Sequence, residues 1–185
     1  MVLTLVERQS PGIGGGSNLL VSDGTGLHAY DGRETAPASA HARMFLDARG
    51  QPRRGADVIP GGLSVGVPGT VAVLAMAHKA HGRLPWARLF EPAIRLAEQG
   101  FVVQPRLARE LLQGRAQYGA MPGLRALFFN ADGTPARAGQ TLRNPDLAAT
   151  LREIAEKGPD AFYRGPIAGK IVQSVANAPR NRTVM

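Results

Sequence analysis

The feature that most constrains the fold is a turn flanked by two short apolar runs that lead into Asp31–Pro37. Asp23-Gly-Thr-Gly26 is a strong turn sequence, with Leu19–Ser22 before it and Leu27–Tyr30 after it. Two such runs around a glycine-bearing turn predict a β-hairpin. Proline has no N–H to donate to a strand ladder, so the return strand is expected to end within Asp31–Pro37, before Pro37. The hairpin therefore presents Arg33 at its far end.

Arg33 is the candidate binding residue in that stretch. Its guanidinium offers a planar fork of donors that matches a carboxylate. Glu34 is its neighbour, and the chain holds 19 arginines, so a solvated surface ion pair is the ordinary alternative. Taken by itself, the residue does not distinguish a carboxylate site from such a pair.

Composition indicates a globular protein with no nucleic-acid surface. The chain has 185 residues, 44% of them apolar, which suits one domain with a hydrophobic core. The net charge of +8 comes from arginines scattered singly along the chain, with only Lys79, Lys157 and Lys170 as lysines. A nucleic-acid interface needs basic residues gathered on one face with aromatics between them, and aromatics make up 5% here. No nucleic-acid partner is predicted.

Cysteine usage and the first residues exclude further classes. The absence of cysteine rules out disulfides, thiolate zinc sites and a cysteine nucleophile. Glu7 and Arg8 interrupt the apolar run Val2–Val6, and no apolar run is long enough to cross a bilayer. Neither a signal peptide nor a membrane partner is predicted from this sequence.

The remaining pattern predicts a mostly helical region after the hairpin. Short strands are expected at Val2–Val6 and Ala126–Phe129, a closely packed glycine turn at Pro11–Gly16, and loops at Asp47–Gly62 and Tyr118–Gly123. Helices are expected from Val71 to Gly82, from Pro85 to Gly100 with a kink or division at Pro92, from Pro105 with Leu107, Leu111 and Leu112 inside, from Asn144 to Gly158, and from Pro166 to about Ala178.

Other candidate sites carry weaker signals. His78 and His81 are three residues apart on a predicted helix, but no third ligand follows at a useful spacing, so no metal is predicted. Ser17 and Ser64 lack the Gly-x-Ser-x-Gly elbow of an α/β-hydrolase. The glycines of Pro11–Gly16 match neither phosphate-binding pattern, so no cofactor is predicted.

Several blocks in fixed order resemble the large-subunit portion of gamma-glutamyltransferases, also called gamma-glutamyltranspeptidases. These blocks are Ser10–Asp23, Asp31–Pro37, Gly61–Thr70, Leu84–Phe101, Asn144–Leu151 and Gly158–Gly165. The resemblance runs nearly end to end, which makes it far more specific than any single short motif. It implies an α+β chain that is part of an N-terminal-nucleophile hydrolase αββα sandwich, and a periplasmic or extracellular location.

The resemblance also implies a reaction that this chain does not complete. Family members cleave themselves to free a threonine, which takes the gamma-glutamyl group of glutathione or a related compound and passes it to water or an acceptor amine. The nucleophile motif is Thr-Thr-His, and no threonine of this chain is followed by Thr-His. Residues 1–185 are therefore expected to be a partial large-subunit domain, truncated at both ends and inactive alone, whose partner is the small-subunit segment.

Arg33 carries the substrate role that the resemblance implies. It matches the large-subunit arginine that pairs with the α-carboxylate of the gamma-glutamyl group, on the strength of Asp31–Pro37. No catalytic residue is assigned. Ser17 and Asn18 stand where the family more often has a glycine and an aromatic, a departure expected to loosen the strand behind the site.

Three functional interpretations follow. The preferred one is the substrate-binding large-subunit part of a gamma-glutamyltransferase. The second is part of a related acylase, such as a cephalosporin or glutaryl acylase of the same superfamily. The third belongs to another class, a noncatalytic structural or interaction module.

Overall fold

The computed structural model describes residues 1–6, 12–59 and 61–178. Its elements in chain order are α1 (Leu3–Val6), β1 (Ser17–Ser22), β2 (Leu27–Gly32), α2 (Gly55–Val58), α3 (Thr70–His81), α4 (Glu91–Gln99), β3 (Phe101–Val102), α5 (Pro105–Gln113), α6 (Arg115–Gly119), α7 (Pro122–Phe128), β4 (Thr141–Leu142), α8 (Pro145–Lys157), α9 (Asp160–Tyr163) and α10 (Pro166–Ala176). Short 3-10 turns span Gly62–Ser64 and Trp86–Leu89. The sequence features at Glu7, Arg8, Pro11 and Pro60 lie outside the described residues.

Contacts divide the chain into two compact units. Of the described residues, one unit contains 1–6, 12–13 and 80–158, and the other contains 14–59, 61–79 and 159–178. The first unit is helical around a small two-stranded sheet, and the second holds the β-hairpin.

The core of the first unit lies between α4 and α8. Ala93 and Ala97 of α4 and Leu151 and Ile154 of α8 are fully buried. These positions recur every three to four residues, so each helix presents one apolar stripe. Trp86 is linked to α8 by a hydrogen bond, in which its indole N–H donates to the Ile154 carbonyl at 3.0 Å.

Helix α8 has the start and stop that its sequence predicts. The Asn144 side chain accepts a hydrogen bond from the Leu147 N–H at 3.0 Å, and Pro145 occupies the first turn. Gly158 ends the helix at φ +79°, a conformation that favours glycine. Gly100 ends α4 in a similar way at φ +112°, and β3 then pairs antiparallel with β4.

The second unit is built on the hairpin β1–β2 and helix α3. The register pairs Ser17 with Gly32 and Ser22 with Leu27. The Asp23 carboxylate accepts the backbone N–H groups of Thr25 and Gly26 at 2.9 and 3.0 Å, which fixes the predicted turn. Helix α10 packs beside the 3-10 turn at Gly62–Ser64.

Two strand predictions in apolar runs are wrong. Residues Val2–Val6 were expected as a strand, but the Leu5 N–H bonds to the Val2 carbonyl at 2.9 Å and Leu3–Val6 is helical. Leu5 is 1% exposed, so burial of one side chain outweighs the β propensity of the valines. The stretch Ala126–Phe129 is also mainly helical, because α7 runs to Phe128, which is buried.

The predicted loops contain more helix than the sequence suggested. Tyr118–Gly123 holds the end of α6 and the start of α7, where Pro122 takes a first-turn position. The loop Asp47–Gly62 is largely exposed but contains α2, whose Val58 is 6% exposed. Leu112 lies inside α5 as predicted, with its side chain 57% exposed while Leu107 and Leu111 are buried.

The overall class agrees with the sequence. A glycine-rich hairpin precedes a mostly helical region, so the α+β prediction is confirmed. Pro92 divides the predicted Pro85–Gly100 helix, as expected, into a 3-10 turn and α4. Within the part of the chain that the structure describes, no helix combines the length and apolar character needed to span a membrane.

Candidate functional site

Arg33 lies immediately after the last residue of β2. Its backbone N–H donates to the Asp31 carboxylate at 2.9 Å, which turns the chain out of the hairpin ladder. Two residues later, Thr35 and Val67 exchange backbone hydrogen bonds of 3.2 and 2.9 Å in an antiparallel bridge. Arg33 therefore sits on a short connection that is fixed at both ends. Its side chain is 61% exposed.

Glycines surround this connection so closely that no other residue fits. A Cβ on Gly69 would lie 2.2 Å from the Gly32 carbonyl oxygen and 2.8 Å from that of Arg33. A Cβ on Gly16 would lie 2.7 Å from the Arg33 Cα. Both obstacles are backbone atoms, which cannot rotate away as a side chain does. The sequence predicts that the glycine turn packs closely against another segment. In the structure, that segment is the backbone at Arg33.

Glu34 links Arg33 to the glycine turn. One of its carboxylate oxygens lies 3.1 Å from an Arg33 Nη, and the other accepts the Gly16 N–H at 2.8 Å. A hydrogen bond from its own backbone N–H is the main cause that lowers the pKa of Glu34. Lost hydration acts in the opposite direction, while the Arg33 charge and the Gly16 N–H lower the pKa further. Glu34 is thus a carboxylate that contacts both the Arg33 guanidinium and the glycine turn.

Helix α3 begins directly beside this connection. The Gly15 carbonyl accepts the N–H groups of Gly69 and Thr70, both at 3.0 Å, and the Thr70 hydroxyl at 2.9 Å. The Tyr163 hydroxyl accepts the Ala72 N–H at 3.0 Å. The first N–H groups of a helix have no partner inside the helix, so these distant groups serve as its cap. Sequence reasoning missed Thr70 and Tyr163, and only the Pro-Gly-Thr helix start hinted at the first.

The Ser17 side chain joins β1 to α3. Its hydroxyl lies 2.8 Å from the Thr70 hydroxyl. The expectation that Ser17 and Asn18 loosen the strand behind the site stays a prediction, while the Ser17 hydroxyl contributes a contact from β1 to α3. Thr70 is buried and both hydroxyls are engaged, so neither is presented as a nucleophile.

Among the other residues singled out from the sequence, Ser64 has a structural role, and this geometry gives His78 and His81 no functional role. The Ser64 hydroxyl donates to the carbonyls of Ile59 and Gly61 at 3.0 and 3.3 Å, which stabilises a turn. His78 and His81 lie on α3, both partly buried and both engaged in interactions. The chemistry available around Arg33 is therefore recognition of an anion by an exposed guanidinium on a fixed backbone.

Comparisons with known proteins give matches over most of this chain. The family model described as gamma-glutamyltranspeptidase matches residues 1–179. The chain is 43% identical over 176 residues to glutathione hydrolase 3 of Arabidopsis thaliana, covering 94% of this chain and 26% of that protein. It thus spans about a quarter of the length of that relative.

Solved structures give the same assignment for the fold. The gamma-glutamyltranspeptidase of Helicobacter pylori matches with a TM-score of 0.91 and 32% identity, covering 97% of this chain and 51% of that chain. A cephalosporin acylase from Bacillus halodurans is more distant, with a TM-score of 0.74 and 31% identity, covering 93% of this chain and 32% of the other. The N-terminal-nucleophile hydrolase fold that the sequence implied is confirmed. From its family match and its fold, the chain belongs to the gamma-glutamyltranspeptidase family.

Proposed function

We propose that this chain is the part of a gamma-glutamyltransferase that binds the α-carboxylate of a gamma-glutamyl substrate, such as glutathione, through Arg33. The observation that carries the proposal is the Arg33 fork, 61% exposed on a connection that glycines and Glu34 hold in place. An arginine meets a carboxylate through two parallel hydrogen bonds, which gives direction as well as charge. Family membership supplies the reaction, transfer of the gamma-glutamyl group to amino acids, peptides or water.

The nucleophile comes from a partner segment in this proposal. The sequence holds no Thr-Thr-His, so a small-subunit segment provides the threonine. The hairpin supports such a partner, because β1 and β2 pair only with each other among the described strands. One face of the hairpin also exposes Leu20 by 67% and Leu27 by 70%, and apolar surface of this kind favours a covering segment.

We infer a periplasmic or extracellular location from the family resemblance. The absence of cysteine fits either compartment, since no disulfide is needed. Fractionation of cells that produce the natural protein tests this location. Recovery of the protein in the cytoplasmic fraction alone would contradict it.

The proposed role of Arg33 is tested in an enzyme assembled from this segment and a small-subunit segment. Arg33→Ala should lower kcat/KM for gamma-glutamyl substrates. If the bound substrate and the small-subunit segment bury the charge pair, the lost transition-state stabilisation should be roughly 2–5 kcal/mol, the range for truncating one member of such a pair. Arg33→Lys should fall between, because lysine keeps the charge and loses the fork. The loss should shrink for analogues without the α-carboxylate, since the wild type gains nothing from a group that is absent.

One result would overturn the role of Arg33, and another would overturn the need for a nucleophile from a partner segment. An equal loss for substrates with and without the α-carboxylate would make Arg33 a structural residue. Turnover of a gamma-glutamyl anilide by the purified 185-residue chain, well above buffer and free of contaminating enzyme, would require a nucleophile within the chain.

An acylase is the second candidate, favoured by the structural match to the cephalosporin acylase. The same assembled enzyme distinguishes the two when it is offered a cephalosporin side-chain amide and a gamma-glutamyl amide. Preference for the cephalosporin amide, with no effect of Arg33→Ala on the choice, would replace the first proposal by the second.

A further inference from the structure

The buried hydroxyl of Thr70 lies outside the Arg33–Glu34 pair on which the proposed function rests. Thr70 is the first residue of α3 and is 8% exposed, the buried polar side chain among the described residues. Its Oγ1 donates to the Gly15 carbonyl at 2.9 Å and lies 2.8 Å from the Ser17 hydroxyl. A hydroxyl has one proton, so when Thr70 donates to Gly15, Ser17 donates to Thr70. The two side chains form a directed chain of hydrogen bonds that ends on the Gly15 carbonyl.

This series of hydrogen bonds ends at Gly15 and so holds the glycine turn in place. Gly15 also accepts the N–H groups of Gly69 and Thr70 at 3.0 Å, so its carbonyl has three donors. Two of them belong to the backbone and survive any change of side chain at position 70. The third depends on the Thr70 hydroxyl alone.

The next residue in the turn passes this constraint to Arg33. Gly16 donates its N–H to Glu34 at 2.8 Å, and the other Glu34 oxygen lies 3.1 Å from Arg33 Nη2. A continuous series of contacts therefore runs from Thr70 through Gly15, Gly16 and Glu34 to the guanidinium. An exposed arginine has many rotamers, and a binding fork is effective only when its supporting residues select one of them.

We propose that the Thr70 hydroxyl, supported by the Ser17 hydroxyl, is a positioning group for Arg33. It fixes the position of the Gly15–Ser17 segment so that the Gly16 N–H can donate to the Glu34 carboxylate. Glu34 then orients the guanidinium group of Arg33. Its effect on a carboxylate ligand rests on the proposed function. Its effect on the orientation of Arg33 does not, because the contacts exist in the ligand-free chain.

Matched variants isolate the hydroxyl. Thr70→Val keeps the shape and removes the hydroxyl, Thr70→Ser keeps the hydroxyl and removes the methyl group, and Ser17→Ala removes only the supporting group. The control is Thr150→Val in α8, whose hydroxyl donates to the Asp146 carbonyl at 2.9 Å in the other unit. If Thr70→Val fails to fold, Ser17→Ala carries the same test with a smaller expected effect.

The first readout needs no ligand. Amide hydrogen exchange of the Gly16 N–H and the NMR signal of the Arg33 Nε–H report on the contacts near Arg33, and the amides of Leu151 and Ile154 report on global stability. Thr70→Val should speed Gly16 exchange about three- to tenfold and shift the Arg33 signal, the scale expected for one lost hydrogen bond. Thr70→Ser should restore both, and Thr150→Val should change neither. Unchanged Gly16 exchange in Thr70→Val, or equal acceleration at every amide, would overturn the proposal.

The second readout adds glutathione to the 185-residue chain and follows the Arg33 signal. Thr70→Val should weaken the binding of glutathione about three- to tenfold, with little change for an analogue that lacks the α-carboxylate. Wild-type chain that binds neither compound would count against the proposed function alone, because the exchange readout still decides the role of Thr70. Equal binding of glutathione by wild type and Thr70→Val would overturn the positioning role at the ligand.

Discussion

The α4–α8 layer and the Arg33 connection are both well fixed, but by different physical means. In the helix layer, Ala93, Ala97, Leu151 and Ile154 are fully buried and apolar contact holds the helices together. Around Arg33 the side chains are polar or exposed, and the backbone is held by hydrogen bonds and by positions that have no Cβ. The helix layer should therefore be sensitive to lost volume, and the Arg33 connection to added volume.

The two regions resemble each other in their surface ion pairs and differ in what holds their interiors together. The α4–α8 layer carries the ion pair Arg152–Glu98 beside an open groove of about 450 Å³. The Arg33 connection carries the pair Arg33–Glu34. Exposed pairs of this kind contribute little to stability, so neither pair explains why its region is ordered.

The largest expected effect is removal of volume from the helix layer. Leu151→Ala should lower the free energy of unfolding by about 2–5 kcal/mol, because the site is fully buried and its neighbours collapse only partly. Urea unfolding followed by circular dichroism measures the change. Leu112→Ala is the control, since that leucine is 57% exposed and should change stability by no more than about 0.5 kcal/mol. Similar losses in the two variants would contradict the assigned core.

Added volume at the Arg33 connection should have the next largest effect. Gly69→Ala should destabilise the chain by about 1–3 kcal/mol, since its Cβ would lie 2.2 Å from the Gly32 carbonyl oxygen. Gly169→Ala is a matched control, because nothing lies within 4 Å of a Cβ there and α10 should gain about 0.5–1 kcal/mol. Thermal unfolding of both variants gives the comparison. A stable, well-folded Gly69→Ala chain would show that the backbone there can move.

Removal of the phenol that caps α3 should have a smaller effect. Tyr163→Phe deletes the acceptor of the Ala72 N–H and should cost about 1 kcal/mol at neutral pH. Burial is the main cause that raises the pKa of Tyr163, while hydrogen bonds from Ala72 and Val71 act in the opposite direction.

The pH dependence of this variant follows from the direction of that shift. A folded-state pKa above the unfolded one means that the stabilisation is complete below about pH 10 and is lost as pH rises through the folded pKa. The stability difference between wild type and Tyr163→Phe should therefore shrink in alkaline solution. A constant difference from pH 8 to pH 11 would contradict it.

The smallest expected effect concerns the surface pair of the helix layer. Glu98→Gln removes the charge opposite Arg152 and should change stability by about 0–0.5 kcal/mol, with little dependence on salt. Unfolding at low and high salt measures this. A loss comparable to that of Leu151→Ala would mean that the pair, and not apolar contact, orders the layer.

Elements whose signals are local could be predicted from the amino-acid sequence alone. Asn144 and Gly158 gave the bounds of α8 because a cap and a left-handed glycine act within one turn. The turn at Asp23 gave the hairpin, and Asp31–Pro37 placed Arg33 at its end. Local chemistry is complete in such stretches, so each could be predicted before any packing is known.

Features that depend on distant residues became visible only in the packed chain. The helix at Leu3–Val6 forms because Leu5 is buried, against the β propensity of its neighbours. The Thr70 hydroxyl meets a carbonyl 55 residues away, and Tyr163 caps a helix 91 residues away. No local pattern records such partners, because a hydrogen-bond donor specifies only the geometry of its acceptor and not its place in the chain.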